Sequence, residues 1–218
     1  MHFTRDSDDG TTTGQDNLLS ILKSGKILKS GKLRARRTYG MAGKLAERFT
    51  EVADTQQTVC FTETPLEHAW MMCRPIAGRR FKFNGYGLAF TKTFARGRGV
   101  NPVWYLDISQ RGHEWLTEPV RRLVDAAEAS ATSKDTGATD GSVLAFADIL
   151  QLTPFIEQMG PTTDGRKEFW WVREWRHVGD LAFTPDHVVV AFAPEDQQSS
   201  LRARLTEATT DWVRREGA

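Results

Sequence analysis

Side chains able to do chemistry are densest in the stretch Glu168-Phe169-Trp170-Trp171-Val172-Arg173-Glu174-Trp175-Arg176-His177-Val178. Read as an aromatic strand, its side chains alternate between two faces. Trp170, Val172, Glu174, Arg176 and Val178 then share one face. Phe169, Trp171, Arg173, Trp175 and His177 share the other. A carboxylate among apolar neighbours costs free energy unless a cation or a donor pairs with it. Two readings of Glu174 stay open. It is one half of a structural ion pair with Arg176 or another arginine, or it is a cleft carboxylate aimed at a bound sugar or cation. His2 is the second candidate, because one imidazole nitrogen can donate while the other accepts. It reads equally as an ordinary hydrogen-bonded histidine.

Other chemistries find no support. No Gly-rich phosphate loop is present, and Gly97-Arg98-Gly99 is too short and follows no strand-to-helix signal. Cys60 and Cys73 lack a second pair, which argues against structural zinc and against a disulfide framework. Two reduced, mostly buried thiols are expected instead. On a strand, Glu174 and His177 face opposite ways, so they do not make a metal pair. No metal is expected. No Ser or Cys sits in a nucleophile signature.

These residues need elements to position them. His2-Phe3-Thr4 suits a first strand, followed by a helix over 17–24 capped by Asp16 and stopped at Gly25. A second helix is expected over 41–52. Thr58–Thr62 reads as a buried strand. Thr64-Pro65-Leu66-Glu67 has the form of a capping box with proline at the first helical position. Strands follow at 86–91 and 102–106, and helices at 113–129 and 143–159. A Ser/Thr/Asp/Gly-rich stretch, 130–142, lies between those helices and reads as a mobile surface loop. After the aromatic strand come another at 187–193 and a closing helix at 197–215. The order predicts one α+β domain over 1–218, with a split, mostly antiparallel sheet and flanking helices.

The composition is ordinary for a packed protein: 218 residues, 39% hydrophobic and 26% charged. No apolar run reaches membrane-spanning length and no signal-peptide pattern opens the chain, so a cytoplasmic protein without a membrane partner is expected. The net charge of +1 hides an uneven distribution. Residues 23–48 carry nine Lys or Arg against Glu47 alone, and 74–98 carry seven with no acid. Residues 105–165 carry ten acids against four bases. The basic segments are either a solvated face or a surface for phosphates, with single-stranded nucleic acid as the expected partner.

Four blocks carry a family resemblance. They are His2-Phe3-Thr4 with Asn17–Gly25, Val59–Leu66, Tyr86–Lys92, and Glu168–Trp171 with Arg173–Arg176. In this order, over roughly 1–193, the chain resembles the AbiGi family, described as the antitoxin side of a bacterial abortive-infection pair. That resemblance implies phage defence and a partner toxin.

A more distant likeness is to NAD-using ADP-ribosyltransferases of the DarT-like kind. It implies an ADP-ribosyltransferase-like fold, with NAD as substrate and a nucleic acid or protein as acceptor. It places His2, Tyr86 and Glu174 in the catalytic roles, with Tyr39 competing for the second. Phe3, Thr4, Gly87 and an arginine among Arg34, Arg36 and Arg37 would join His2 and Tyr86 in holding the dinucleotide. A fixed carboxylate near the ribose would oppose the positive charge that builds as nicotinamide leaves. This reading expects His2 and Glu174 on adjacent strands, opening into one pocket bordered by 32–37 and 79–82. Without turnover, the same chain would be an antitoxin or regulator binding a toxin or a nucleotide.

Overall fold

The computed structural model describes residues 1–7, 9–22, 31–37, 42–76, 79, 82–109, 116–162 and 165–206. The expected helix stop at Gly25, Tyr39, and residues 207–215 of the expected closing helix lie outside them. The chain forms two compact units. The first is Met1–Arg34, Phe61–Gly99 and Leu181–Ala218; the second is Ala35–Cys60 and Val100–Asp180. The class is α+β, with several mostly antiparallel sheets and flanking helices. Strands are numbered β1–β12 and helices α1–α8 along the chain.

The first unit is built on a three-stranded sheet in the order β1-β5-β12: His2–Phe3, Gly87–Phe90 and Val188–Phe192. All pairings are antiparallel, with a register shift between Val188 and Val190. Its apolar side chains bury because the strands are short, apolar runs bounded by turn residues. Leu88 is fully buried, and the Phe3 and Phe192 rings pack at 5.6 Å. Phe90 meets Phe61 and Phe183 edge-on at 6.0 and 5.0 Å. A two-stranded ribbon joins β2 (Gly31–Leu33) to β11 (Leu181–Phe183).

Helix α1 (Gly14–Leu22) buries Leu18, Leu19 and Leu22. It starts earlier than expected, because Thr13 caps it instead of Asp16. The Asp16 N–H donates to the Thr13 hydroxyl (3.1 Å) and the Asp16 carboxylate accepts from the Thr13 N–H (3.2 Å), a reciprocal capping box. Thr64–Glu67 does not form such a box. Pro65 flanks a 3-10 helix, Leu66–Cys73, with no side-chain cap, and the Thr64 hydroxyl bonds Thr62 instead. Helix α4 (Lys92–Gly97) is capped by Thr91, which accepts from the Phe94 N–H. The helix over 198–206, α8, buries Leu201.

The second unit holds a helical core. Helices α2 (Gly43–Arg48) and α3 (Thr50–Thr55) replace the single helix expected over 41–52, with Phe49 extended between them. With α5 (Thr117–Ala131), α6 (Gly141–Ala145) and α7 (Asp148–Leu152) they bury Leu45, Val52, Val124, Leu144 and Leu150. The fully buried Gln56 amide donates to Leu150 O (2.8 Å) and its oxygen accepts from the Thr153 hydroxyl (3.0 Å), satisfying the polar groups enclosed there. The expected mobile loop at 130–142 is closed by hydrogen bonds. Ser133 N–H donates to Ala138 O (2.8 Å) and Asp140 N–H to Ala131 O (2.9 Å).

The helix expected over 143–159 is instead α6, α7 and a strand. Extended Ala147 separates α6 from α7. Pro154, which lacks an N–H, lies in a 3-10 turn. From Ile156 the chain is β8 (Ile156–Thr162), parallel to β7 (Trp104–Asp107) and antiparallel to β9 (Gly165–Lys167). A further sheet has the order β3-β4-β10-β6: Arg36–Arg37, Gln57–Thr62, Glu174–Val178 and Asn101–Pro102. The aromatic stretch is therefore a strand only from Glu174. Trp170–Val172 is a 3-10 turn, and Arg173 sits in the left-handed region at φ 50°, which breaks the extended run. Trp170 and Val172 do not share the alternation of Glu174 and Arg176.

Candidate functional site

Glu174 and Arg176 leave β10 two residues apart, so the pleat places them on one face. The Arg176 Nε donates to Glu174 Oε1 at 2.8 Å. The guanidinium also donates to Pro154 O at 2.6 Å and to the carboxylate of Glu157 on β8, which Lys167 of β9 pairs as well. Arg176 has a side-chain exposure of 5%, against 20% for Glu174. Burial pulls the guanidinium pKa down, but the Glu174 and Glu157 carboxylates outweigh it and raise it. The planar fork of arginine suits such a node, because it offers donors in several fixed directions. Cys60, on neighbouring β4, is exposed as a residue, yet its thiol lies against Glu174 and Arg176, and burial pushes its pKa up to about 12; neither cysteine is in a disulfide.

Tyr105 on β7 completes the cluster, since its hydroxyl accepts from the Glu174 N–H at 3.0 Å. Burial and the Glu174 charge push the phenol from an ordinary 10 up to about 12, against the lowering effect of that N–H. The folded protein holds this proton more tightly than the unfolded chain. Its contribution is therefore complete below the unfolded pKa and is lost as pH rises through about 12. Tyr105→Phe should cost about 1 kcal/mol at neutral pH. It should also remove part of the alkaline loss of stability, as urea denaturation at neutral pH and at about pH 11 would measure.

The first unit gathers the other sequence candidates. His2 pairs with Leu88, and Phe3 with Gly87. The Thr4 N–H donates to Tyr86 O at 2.8 Å, and the Thr4 hydroxyl to Gly14 O at 2.7 Å. Phe3, Thr4, Tyr86 and Gly87 are buried, and His2 is partly exposed, with its ring 5.8 Å from Phe61. Burial, with Asp196 and Asp6 nearby, raises the Tyr86 phenol pKa. β1 pairs with β5 while β10 lies between β4 and β6, so His2 and Glu174 are not on adjacent strands. Arg34 closes a segment of the first unit, whereas Arg36 and Arg37 belong to the second, and all three are exposed. Arg37 donates to Gly43 O at 2.9 Å and lies 3.4 Å from Glu47. In the other basic segment, Arg79 donates to the carbonyls of Met72 and Arg74.

The sequence missed Glu157, Tyr105 and the Pro154 carbonyl, all partners of the Glu174–Arg176 pair, and Lys167, which pairs Glu157. Among the described residues, no group of three or more His, Cys, Asp or Glu is placed to hold a metal. Among them, no helix is long and apolar enough to cross a membrane.

A model of the family described as abortive phage resistance protein AbiGi, antitoxin, matches residues 41–207. The chain belongs to the AbiGi family. The match covers Tyr86, Gly87 and the whole Glu174–Arg176–Glu157 cluster, but not His2, Phe3, Thr4, Arg34, Arg36 or Arg37. The part the chain shares with AbiGi proteins is thus nearly all of its second unit and, in its first, the central segment and residues 181–207 of the last. No curated protein and no solved structure matches the chain.

Proposed function

We propose that the chain is the antitoxin of an abortive-infection pair and acts by binding a partner toxin, without turnover. The observation that carries this reading is the commitment of Glu174 to Arg176 at 2.8 Å. A carboxylate opposes a developing sugar cation through its uncompensated charge. A buried guanidinium fixed beside it cancels most of that field, so Glu174 works as a structural partner of Arg176. Membership of the AbiGi family agrees.

The second reading is an ADP-ribosyltransferase that takes NAD and modifies a nucleic acid or a protein. What supports it is the pairing of β1 with β5, which brings His2, Thr4, Tyr86 and Gly87, all named by the distant likeness, to neighbouring strands.

One set of proteins separates the two. Wild type and Glu174→Gln are each co-expressed with the product of the adjacent reading frame as the candidate toxin, and purified samples are incubated with NAD and with single-stranded DNA or RNA. The antitoxin reading expects both to restore growth and neither to consume NAD. NAD consumption by wild type, lost in an equally well-folded Glu174→Gln, would establish the transferase instead.

A further inference from the structure

The two units carry opposite charge. The first holds seventeen Lys or Arg and twelve Asp or Glu, and the second twelve and sixteen. Each also exposes an apolar feature of its own. On the second, α5 and α6 wall a groove of about 600 Å³, with Ala127, Ser130 and Ala131 on one side and Val143, Phe146 and Ala147 on the other. Phe146 is 75% exposed and Val143 56%. Four of the ten large apolar side chains exposed among the described residues lie in 117–152, namely these two with Leu123 and Leu152. Leu123 stands one turn before Ala127 on α5, on the same helix face. Residues 117–152 hold six carboxylates and three cations. Two of those carboxylates are ion-paired, Glu118 with Arg121 and Glu128 with Arg48 of α2, which leaves the segment net negative.

The first unit offers the complement. Its 3-10 helix Leu66–Cys73 exposes Leu66 at 58% and Trp70 at 51%. Arg74 lies over the Trp70 ring, with Cζ 4.3 Å from the centroid. Residues 64–82 hold four bases against Glu67 alone. Tryptophan and arginine are the residue types that most often dominate binding energy at interfaces. A Trp70–Arg74 ridge in a segment of net positive charge matches an apolar groove in a segment of net negative charge.

We propose that the α5–α6 groove of one copy receives the Trp70–Arg74 ridge of a second copy, so that the chain associates head to tail. Two different patches meet in this contact, so each copy keeps one patch of each kind available for another neighbour. Association then grows with protein concentration and weakens with salt, because the charged rims are exposed.

Light scattering coupled to size exclusion tests it at low ionic strength. Wild type should rise above the monomer mass of 24.6 kDa as concentration increases. Phe146→Ser breaks the groove and Trp70→Ala breaks the ridge. Each should weaken self-association by roughly thirtyfold or more. Both side chains are exposed, so both variants should keep the wild-type melt, and Val143→Asp serves as a second groove variant. The decisive sample is an equimolar mixture of the two variants. Each retains the patch that the other has lost, so the mixture should form a one-to-one dimer while either alone is monomeric. A wild type that stays monomeric would overturn the proposal. So would variants that associate as wild type does, or a mixture that remains monomeric.

Discussion

Arg176→Met should lower the stability of the protein by about 3–5 kcal/mol. Methionine fills much of the space of the arginine stem and is flexible enough to adapt, so the loss is electrostatic more than steric. The change deprives Glu174 of its 2.8 Å partner, takes one of two cations from Glu157, and strips a donor from Pro154 O. Each of these groups gave up water on folding in return for the guanidinium, and an unpaired buried charge costs far more than an intact pair contributes. Arg176→Lys should fall between the two proteins, since an ammonium keeps the charge but cannot reach three partners in one plane. Urea denaturation followed by tryptophan fluorescence measures all three, with Trp175 next in sequence as a reporter. A loss below about 1 kcal/mol would place the pair among exposed salt bridges and remove the basis for reading Glu174 as structural.

The second large effect is expected at Gly87→Ala, at about 3 kcal/mol. A Cβ at Gly87 would lie 2.5 Å from His2 O and 3.2 Å from Phe3 Cα. Both are backbone atoms, so no side chain can swing aside, and β1 must move away from β5. That movement strains the His2–Leu88 and Phe3–Gly87 register and the adjoining Thr4–Tyr86 hydrogen bond. Gly97→Ala is the matching control. Its Cβ meets nothing within 4 Å, and it ends α4, so alanine there should be neutral or stabilise by up to about 1 kcal/mol. Thermal melts of the two variants should shift in opposite directions or, at the least, by very different amounts. The glycine that the distant likeness assigned to dinucleotide binding thus has a packing requirement of its own.

What the sequence disclosed follows the range of its signals. The strands around 58–62, 86–91 and 187–193 were legible because each is an apolar run bounded by turn residues. The side-by-side placement of Glu174 and Arg176 was legible because two-residue periodicity is local. Glu157 was not. It lies in Ile156-Glu157-Gln158-Met159, whose apolar spacing fits the end of a helix or a strand, and only Pro154 hints at the break. Its role depends on a partner nineteen residues away on another strand, which no local pattern encodes. Trp170-Trp171-Val172 misled for a different reason. Aromatic and β-branched residues favour strands, yet Arg173 takes the left-handed conformation without the glycine that usually announces it.

The interleaving of the two units bears on how the chain is made. All of the second unit has been synthesised once residue 180 is added, whereas the first still lacks Leu181–Ala218. β12, the far strand of the β1 sheet, leaves the ribosome long after β1. At roughly 5–20 residues per second, the ribosome leaves His2–Phe3 waiting on the order of ten to forty seconds for Val188–Phe192. During that interval the second unit can close while the N-terminal strand and β5 have at most each other. The discontinuous order of the segments therefore makes the acidic half the earlier nascent product and the basic half the later one.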